Sequence, residues 1–361
     1  MTWNWEQKDW PEFSYDDALL QKLEARFLQQ SGMLTGILRH IDEKEKNALA
    51  VDLTSEEAIK TSKIEGEVLN RDSVQSSIRR QLGLETGQSS IPPAEQGIAE
   101  MRVNLHSTFA EPLSQKMLFF WHQQLMSGRT DLSNVGAYRT HSDPMQVVSG
   151  PLHRRKVHFE APPSDGVSAE MKKFIRWFNN SQSLPALTRA GIGHLYFLSI
   201  HPFEDGNGRI GRALVEKMLW QTVGHPILIA LSTTIEKNRK AYYDMLERSN
   251  KRNDITSWLL YFSQTILESV AHTQSFIEFL VEKTKFYDRF RDQFNPRQEK
   301  VIRTLFAAGA DGFKNGLSAE KYIRITGTSR ATATRDLQEL VSLGALTRQG
   351  ELKSTRYFLN L

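Results

Sequence analysis

His201-Pro202-Phe203-Glu204-Asp205-Gly206-Asn207-Gly208-Arg209-Ile210-Gly211-Arg212 stands where one run of apolar residues three and four apart, Leu187 to Ile200, gives way to a second, Arg209 to Val223. Pro202 disfavours helix at His201, so the first helix should end there and leave the imidazole at a helix terminus facing a loop. Gly206 and Gly208 allow backbone angles that turn successive N–H groups into one concavity, and the helix after them adds its positive N-terminal end. Phosphate is the natural guest. Arg209 and Arg212 share a helix face and offer two guanidinium forks to a phosphate chain, while Ile210, Leu214, Val215 and Met218 take the core side. Asp205 is a hard carboxylate beside this nest. It suits magnesium, which usually needs one or two protein carboxylates plus phosphate oxygens and water. His201, with an ordinary pKa of roughly 6.5, can accept a proton near neutrality. Taken one at a time, the same residues fit a plain turn, a structural histidine and a surface Arg212–Glu216 pair. Their crowding into twelve residues is what points to an anion site.

Outward from this segment the helical spacing recurs at Tyr15 to His40, Glu56 to Glu65, Asp72 to Leu82, Pro93 to Phe109, Ser114 to Met126, Val167 to Asn180 and Ile255 to Phe290, which predicts a mainly helical, all-α fold. Strand-like alternation is confined to Gln146 to Phe159: Val147 and Val148, a Ser149-Gly150-Pro151 turn, then Val157 and Phe159, closed by Pro162-Pro163. Gly66 reads as a helix C-cap, with Asp72 capping the next helix and Gln75 completing a capping box. A boundary is expected near Asn295-Pro296. A length of 361 residues fits two or three domains of roughly 100 to 200 residues. The absence of cysteine excludes disulfides, thiolate metal sites and a cysteine nucleophile. The opening MTWNWEQKDWPEF lacks an apolar stretch, and no run nears the roughly 18 apolar residues of a membrane span, so a soluble cytoplasmic protein with no membrane partner is expected.

The net charge of +4 is too mild to imply nucleic acid by itself, but its distribution is uneven. From Pro296 to Leu361 eleven Lys or Arg stand against six acids, a net of 11 − 6 = +5, leaving 4 − 5 = −1 for the rest. In this tail Ser318 can cap a short helix to Thr326, Gly327 turns, and Thr328-Ser329 starts a longer helix to Leu343, stopped by Gly344. Leu346 to Tyr357 then reads as a hairpin. Helix, turn, helix and wing resemble a winged-helix domain, with Arg330, Thr332, Thr334 and Arg335 near the start of the recognition helix as DNA-contacting candidates. Winged helices also serve as protein-docking and dimer modules, so a homodimer is the competing use of this domain.

His201 to Arg212 matches, position for position, the His-Pro-Phe-x-Asp-Gly-Asn-Gly-Arg-x-x-Arg signature of the Fic family of protein adenylyltransferases, and the resemblance runs from the WNWEQKDWP segment to about residue 290. It implies a helical fold with ATP as donor and protein Ser, Thr or Tyr hydroxyls as acceptors. His201 would be the general base and Asp205 the magnesium ligand. Gly206-Asn207-Gly208 would cradle the phosphates and Arg209 and Arg212 would bind the β and γ phosphates, with Phe203 and Glu204 in the same nucleotide-binding stretch. Doc-type kinases depart from the pattern at the positions of Gly206 and Gly208, which favours adenylyl over phosphoryl transfer. Thr61-Ser62-Lys63-Ile64-Glu65-Gly66 fits the family's inhibitory pattern, so Glu65 would pair with Arg212 and occupy the γ-phosphate space. The hairpin sits where the family places a flap that receives the target by strand addition, although it could simply cover the core. Asn238 and Tyr243 are expected at the nucleotide, with Tyr242 and Tyr243 both also readable as core aromatics.

The expected organisation is thus a helical region 1–90 carrying the inhibitory segment, a catalytic domain 91–290 and a winged helix 296–361. Two rivals remain: a DNA-binding regulator that only senses nucleotide, and an enzyme of the same fold that uses another nucleotide donor or removes AMP.

Overall fold

A computed structural model describes residues 2–39, 43–84, 90–151, 154–309 and 316–361. His40 of the first expected helix, residues 152–153 of the hairpin, and Asp311 and Lys314 of the basic tail lie outside the described residues. Two compact units are present, Met1–His272 and Thr273–Leu361.

In the first unit the helices are α1 (Gln21–Arg39), α2 (Glu43–Ile64), α3 (Arg71–Gln81), α4 (Pro93–Ser107), α5 (Gln115–Leu125), α6 (Ser164–Asn180), α7 (Ala186–Ile200), α8 (Asn207–Val223), α9 (Leu231–Lys237) and α10 (Arg239–Ser249), followed by α11 (Thr256–Arg289), within which the division falls. Strands β1 (Gln146–Ser149) and β2 (Lys156–Glu160) pair antiparallel, with the register shifting between Val147 and Val148. Helix α7 is buried on nearly every side and packs on α8, so the loop joining them is carried by the two most enclosed elements of the unit.

Polar ties fix this central pair. Pro185 precedes α7 and supplies no capping side chain, and Glu24 of α1 takes that role, accepting from the N–H groups of Leu187 (3.0 Å) and Thr188 (2.8 Å). Arg102 of α4 grips Glu216 of α8 through both guanidinium nitrogens (2.5 and 2.7 Å), and both side chains are buried. The Arg212–Glu216 pair readable from the sequence is therefore replaced: Glu216 goes to Arg102, and Arg212 turns to α2.

The expected helices form, with four differences, the first being that α1 starts at Gln21 rather than at Tyr15. Helix α2 starts at Glu43 rather than Glu56, because its buried face carries Ser55, Glu57, Thr61 and Ser62 among its apolar residues and so blurs the periodicity. Helices α9 and α10 were not expected; they are short, and their sequence opens Leu-Ser-Thr-Thr-Ile without a clear apolar stripe. Asn70, not Asp72, caps α3, its side chain accepting from the Ser73 N–H at 3.0 Å, while Gln75 donates to Asp52.

The second unit contains the end of α11, then α12 (Pro296–Ala307), α13 (Ala319–Thr326), α14 (Arg330–Ser342) and an antiparallel pair, β3 (Leu346–Gln349) and β4 (Arg356–Leu359). It begins upstream of Asn295-Pro296 because Phe286 of α11 and Phe290 just after it join Val301, Ile302, Leu305, Tyr322, Leu337 and Leu340 in one core. Asn295 caps α12 in a reciprocal box with Gln298, and Ser318 and Ser329 cap α13 and α14.

Candidate active site

Helix α7 ends at His201, which adopts left-handed backbone angles (φ 50°, ψ 59°), an uncommon state for a residue with a side chain. Arg139, 1% exposed, holds it there: Nε donates to the His201 carbonyl (2.8 Å), one terminal nitrogen to the Pro162 carbonyl (2.5 Å) and the other to Ser164 Oγ (2.8 Å). Sequence reasoning missed this residue, since a lone arginine in Gly-Ala-Tyr-Arg carries no local pattern. His201 Nδ1 lies 3.3 Å from the Leu198 carbonyl, which can only accept, so the ring proton sits on Nδ1 and Nε2 is left as the basic atom. Burial, aided by the Arg139 guanidinium, lowers the His201 pKa to about 4, so the imidazole is neutral at pH 7.

The loop after it is closed by Asn207, whose side chain accepts from the Phe203 N–H (3.0 Å) and donates to the Phe203 carbonyl (2.8 Å). Phe203 was expected among the nucleotide contacts; its ring is fully buried and stacks on His122 at 4.2 Å, so its side chain belongs to the core. Glu204 accepts from Asn134 Nδ2 (2.6 Å) and the Ser133 N–H (2.9 Å), fastening the 129–140 loop. Asp205 accepts from the Gly206 N–H (2.5 Å), Arg129 (2.8 Å) and Arg209 (3.3 Å). Burial would raise its pKa, but Arg209 and Arg129 outweigh that and hold the carboxyl below its ordinary value. Gly206 takes φ +80°, open to glycine at no cost, and heads α8.

Above the head of α8 sits the turn that follows α2. Glu65 Oε1 is 2.8 Å from Arg212, and a Cβ on Gly208 would collide with the Glu65 carboxylate. Thr61 holds the same arginine from the side, its hydroxyl and its carbonyl accepting at 2.7 and 3.0 Å. Gly66, at φ +91°, turns the chain so that Glu67 reaches Arg209 at 2.7 Å, a second acid–arginine pair that the sequence did not announce. Arg212 is 1% exposed; burial would lower its pKa and the Glu65 carboxylate reverses the sign. Buried and without a hydrogen-bond partner are Arg212 Nη1 and Arg209 Nε.

These groups open on a cavity of about 550 Å³ lined by Glu65, His201, Glu204, Asp205, Asn207, Gly208 and Arg212 on one side. Its other walls come from the β1–β2 hairpin, α10 and the last turns of α7. Tyr243 lines it, donates to Glu65 Oε2 (3.3 Å) and lies under the Arg239 guanidinium, 5.7 Å from the ring centre. Tyr242 also lines it, but is 1% exposed and bonded to His194 (2.6 Å), so most of its side chain is in the core. Asn238 is exposed at the junction of α9 and α10, and Asn238, Arg209 and Gly206 are all outside the lining residues. In the second unit Arg330, Thr334 and Arg335 are exposed on the first turns of α14, while the Thr332 hydroxyl is 3.0 Å from that of Ser329 in the cap.

No helix of the described residues is long and apolar enough to cross a membrane. Residues 112–219, which include the 201–212 loop, match the Fic/DOC family, and residues 3–84, which include Glu65, match a domain of unknown function, DUF4172. Curated relatives include the protein adenylyltransferase Fic of Drosophila ananassae, 32% identical over 116 residues, and that of Culex quinquefasciatus, 34% identical over 116 residues. In each case the match covers 31% of this chain, and about a fifth (22%) of the relative's length. Among solved structures, a Fic family protein from Desulfovibrio desulfuricans G20 is similar over 97% of this chain and 98% of that one, with a TM-score of 0.54 and 21% identity, a likeness of fold. The Fic/DOC match across the helices that build the site, together with relatives that carry the Fic name, supports the Fic family for this chain.

Proposed function

We propose that this protein transfers AMP from ATP to Ser, Thr or Tyr hydroxyls of target proteins and of itself, and that Glu65 holds the activity back. The observation that carries the reading is the convergence of a neutral imidazole, a glycine-headed helix N-terminus and an acid-plugged arginine on one cavity. The phosphate chain of ATP would take the place of the Glu65 carboxylate over Gly208, where a side chain would not fit, and would meet the unpartnered N–H groups of Arg212 and Arg209. The target hydroxyl gives its proton to His201 Nε2 as its oxygen bonds to the α-phosphorus, and the bond from that phosphorus to the β-phosphate oxygen breaks in line to release pyrophosphate. Asp205, a single partly exposed carboxylate facing the same cavity, fits a magnesium site completed by phosphate oxygens; bound there, the ion would neutralise phosphate charge. Tyr243 and Asn238 are proposed at the nucleoside, and the hairpin at the target chain. With Glu65 in place, ATP would be held in a pose unfit for transfer.

Incubating the Glu65→Gly protein with ATP labelled at the α or at the γ phosphorus tests the reaction type. Label should reach protein from the α position alone; transfer from γ would mean phosphoryl transfer and would sink the proposal.

A second reading concerns the C-terminal unit, proposed as a winged helix that binds DNA. It rests on two capped helices followed by a β-pair, with Arg330 and Arg335 exposed at the start of α14. An electrophoretic shift with duplex DNA at low salt is expected, and its absence would leave the unit as a protein-docking or dimer module.

A further inference from the structure

We propose that Glu236, near the end of α9, is an ionic latch that decides whether the Glu65 turn stays over the cavity; the proposal rests on AMP transfer and its restraint by Glu65 as read above. Lys63, in the last turn of α2, pairs with Glu236 Oε1 at 2.7 Å, and Lys60, one turn earlier, lies 3.4 Å from Glu236 Oε2. Lys60 also faces Glu56 (3.8 Å), and Glu56 is bonded to Arg71 at the start of α3. Charges therefore alternate along Arg71, Glu56, Lys60, Glu236 and Lys63, and this one network joins α3, α2 and α9.

The turn after α2 hangs from the same stretch. The Gly66 N–H donates to the Lys63 carbonyl, and the N–H groups of Glu65 and Glu67 donate to the Ser62 carbonyl, each at 3.0 Å. Toward α8, Thr61 and Glu65 contact Arg212 and Glu67 contacts Arg209. Those guanidinium groups are the ones a phosphate chain would claim, so nucleotide competes with each of these contacts. The pairs to Glu236 are different in kind. Lys60, Lys63 and Glu236 are outside the residues lining the cavity, so their contacts persist when the arginines change partner. With the α8 side taken by phosphate, the strength of the Glu236 pairs sets how often the turn swings clear, and with it the rate of transfer.

The latch is open to its surroundings. The Lys63 side chain is 53% exposed and that of Glu236 20%, so dissolved ions screen the pair. Self-modification of the wild type, taken relative to that of Glu65→Gly under the same conditions, should rise between about 0.05 and about 0.5 M NaCl.

The test measures AMP incorporated per chain from α-labelled ATP with magnesium, using full-length protein that retains Glu65. Glu236→Lys places a third cation against Lys60 and Lys63, and incorporation should rise at least about fivefold over wild type. Lys63→Glu, which sets two acids together, should also raise it. Lys63→Glu combined with Glu236→Lys restores an opposite-charge pair and should bring incorporation back to within about twofold of wild type. In the Glu65→Gly background Glu236→Lys should change nothing, because the brake is already gone. Glu236→Gln, the milder change, should give a rise of about twofold and serves where the charge reversal disturbs folding. Wild-type levels in both Glu236 variants while Glu65→Gly modifies itself would overturn the latch and leave AMP transfer and the brake standing. An equal rise in the Glu65→Gly background, or a rise that the charge swap does not reverse, would also overturn it. No AMP on the Glu65→Gly protein, and none reaching proteins of an added cell extract, would overturn the transfer reading itself.

Discussion

Glu65 and Glu67 stand two residues apart in the turn after α2 and pair with Arg212 and Arg209, one turn apart on α8. If both acids occupy phosphate positions, Glu67→Gln should raise self-modification several-fold by itself and add to the effect of Glu65→Gly, measured as AMP incorporated per chain. No change in either background would make Glu67 a bystander. His201 bears on pH. With its pKa lowered to about 4 by burial, the basic form persists well below neutrality. The rate of AMP transfer by the Glu65→Gly protein should then stay level from pH 8 to about 5 and fall only near pH 4; a fall centred near 6.5, as for an ordinary histidine, would contradict the burial account. Arg139→Leu would leave the His201 and Pro162 carbonyls without their buried donor, and at about 1–3 kcal/mol for each such group a loss on the order of 3 kcal/mol in urea unfolding is expected. What the sequence made legible at this scale is telling. The candidate residues of the 201–212 loop crowd into twelve positions, whereas Arg139, Glu67 and Arg239 reach the site from distant stretches and acquire their partners only through the fold.

Helix α2 leads into the turn that bears Glu65, the proposed brake, and polar contacts tie it to α9. Both Glu57 oxygens accept from the Ser232 N–H at the start of α9 (2.9 and 3.0 Å), and Lys63 pairs with Glu236 on α9 at 2.7 Å. Burial, with Glu216 adding, pushes the Glu57 pKa up to about 7. A raised carboxyl binds its proton more tightly folded than unfolded, so its stabilisation is full below its unfolded value and is lost as pH rises through 7. The melting temperature should therefore decline between about pH 5 and 8, and Glu57→Gln should flatten that slope; an unaltered slope would mean the carboxyl is ionised throughout. The same features explain why α2 was half read. A helix that buries serine, threonine and glutamate does not advertise its inner face, while α7, α8 and α11, with long apolar stripes, were legible to within a few residues. Helices α9 and α10 were missed because each is short and neither has a clean stripe.

At the scale of the whole molecule, the cavity is built within residues 1–272 and an exposed basic helix start lies in 273–361. The second unit starts at Thr273, upstream of the boundary expected near Asn295-Pro296, and Phe286 near the end of α11 packs into its core. If that unit binds DNA, Arg330→Ala with Arg335→Ala should weaken binding across sequences and reduce the slope of log affinity against log salt by about 2. Binding that ignores both changes would place the contact elsewhere. The central claim is that one cavity combines a base, a donor site and a removable plug. The most direct measurement is the intact mass of wild type, Glu65→Gly, and Glu65→Gly with His201→Ala after incubation with ATP and magnesium. The account predicts a gain of one or more units of about 329 Da, the mass of a transferred AMP group, in Glu65→Gly alone. Equal gain in wild type would contradict the brake, gain in the double variant would contradict the base, and no gain in any of the three would leave self-modification without support.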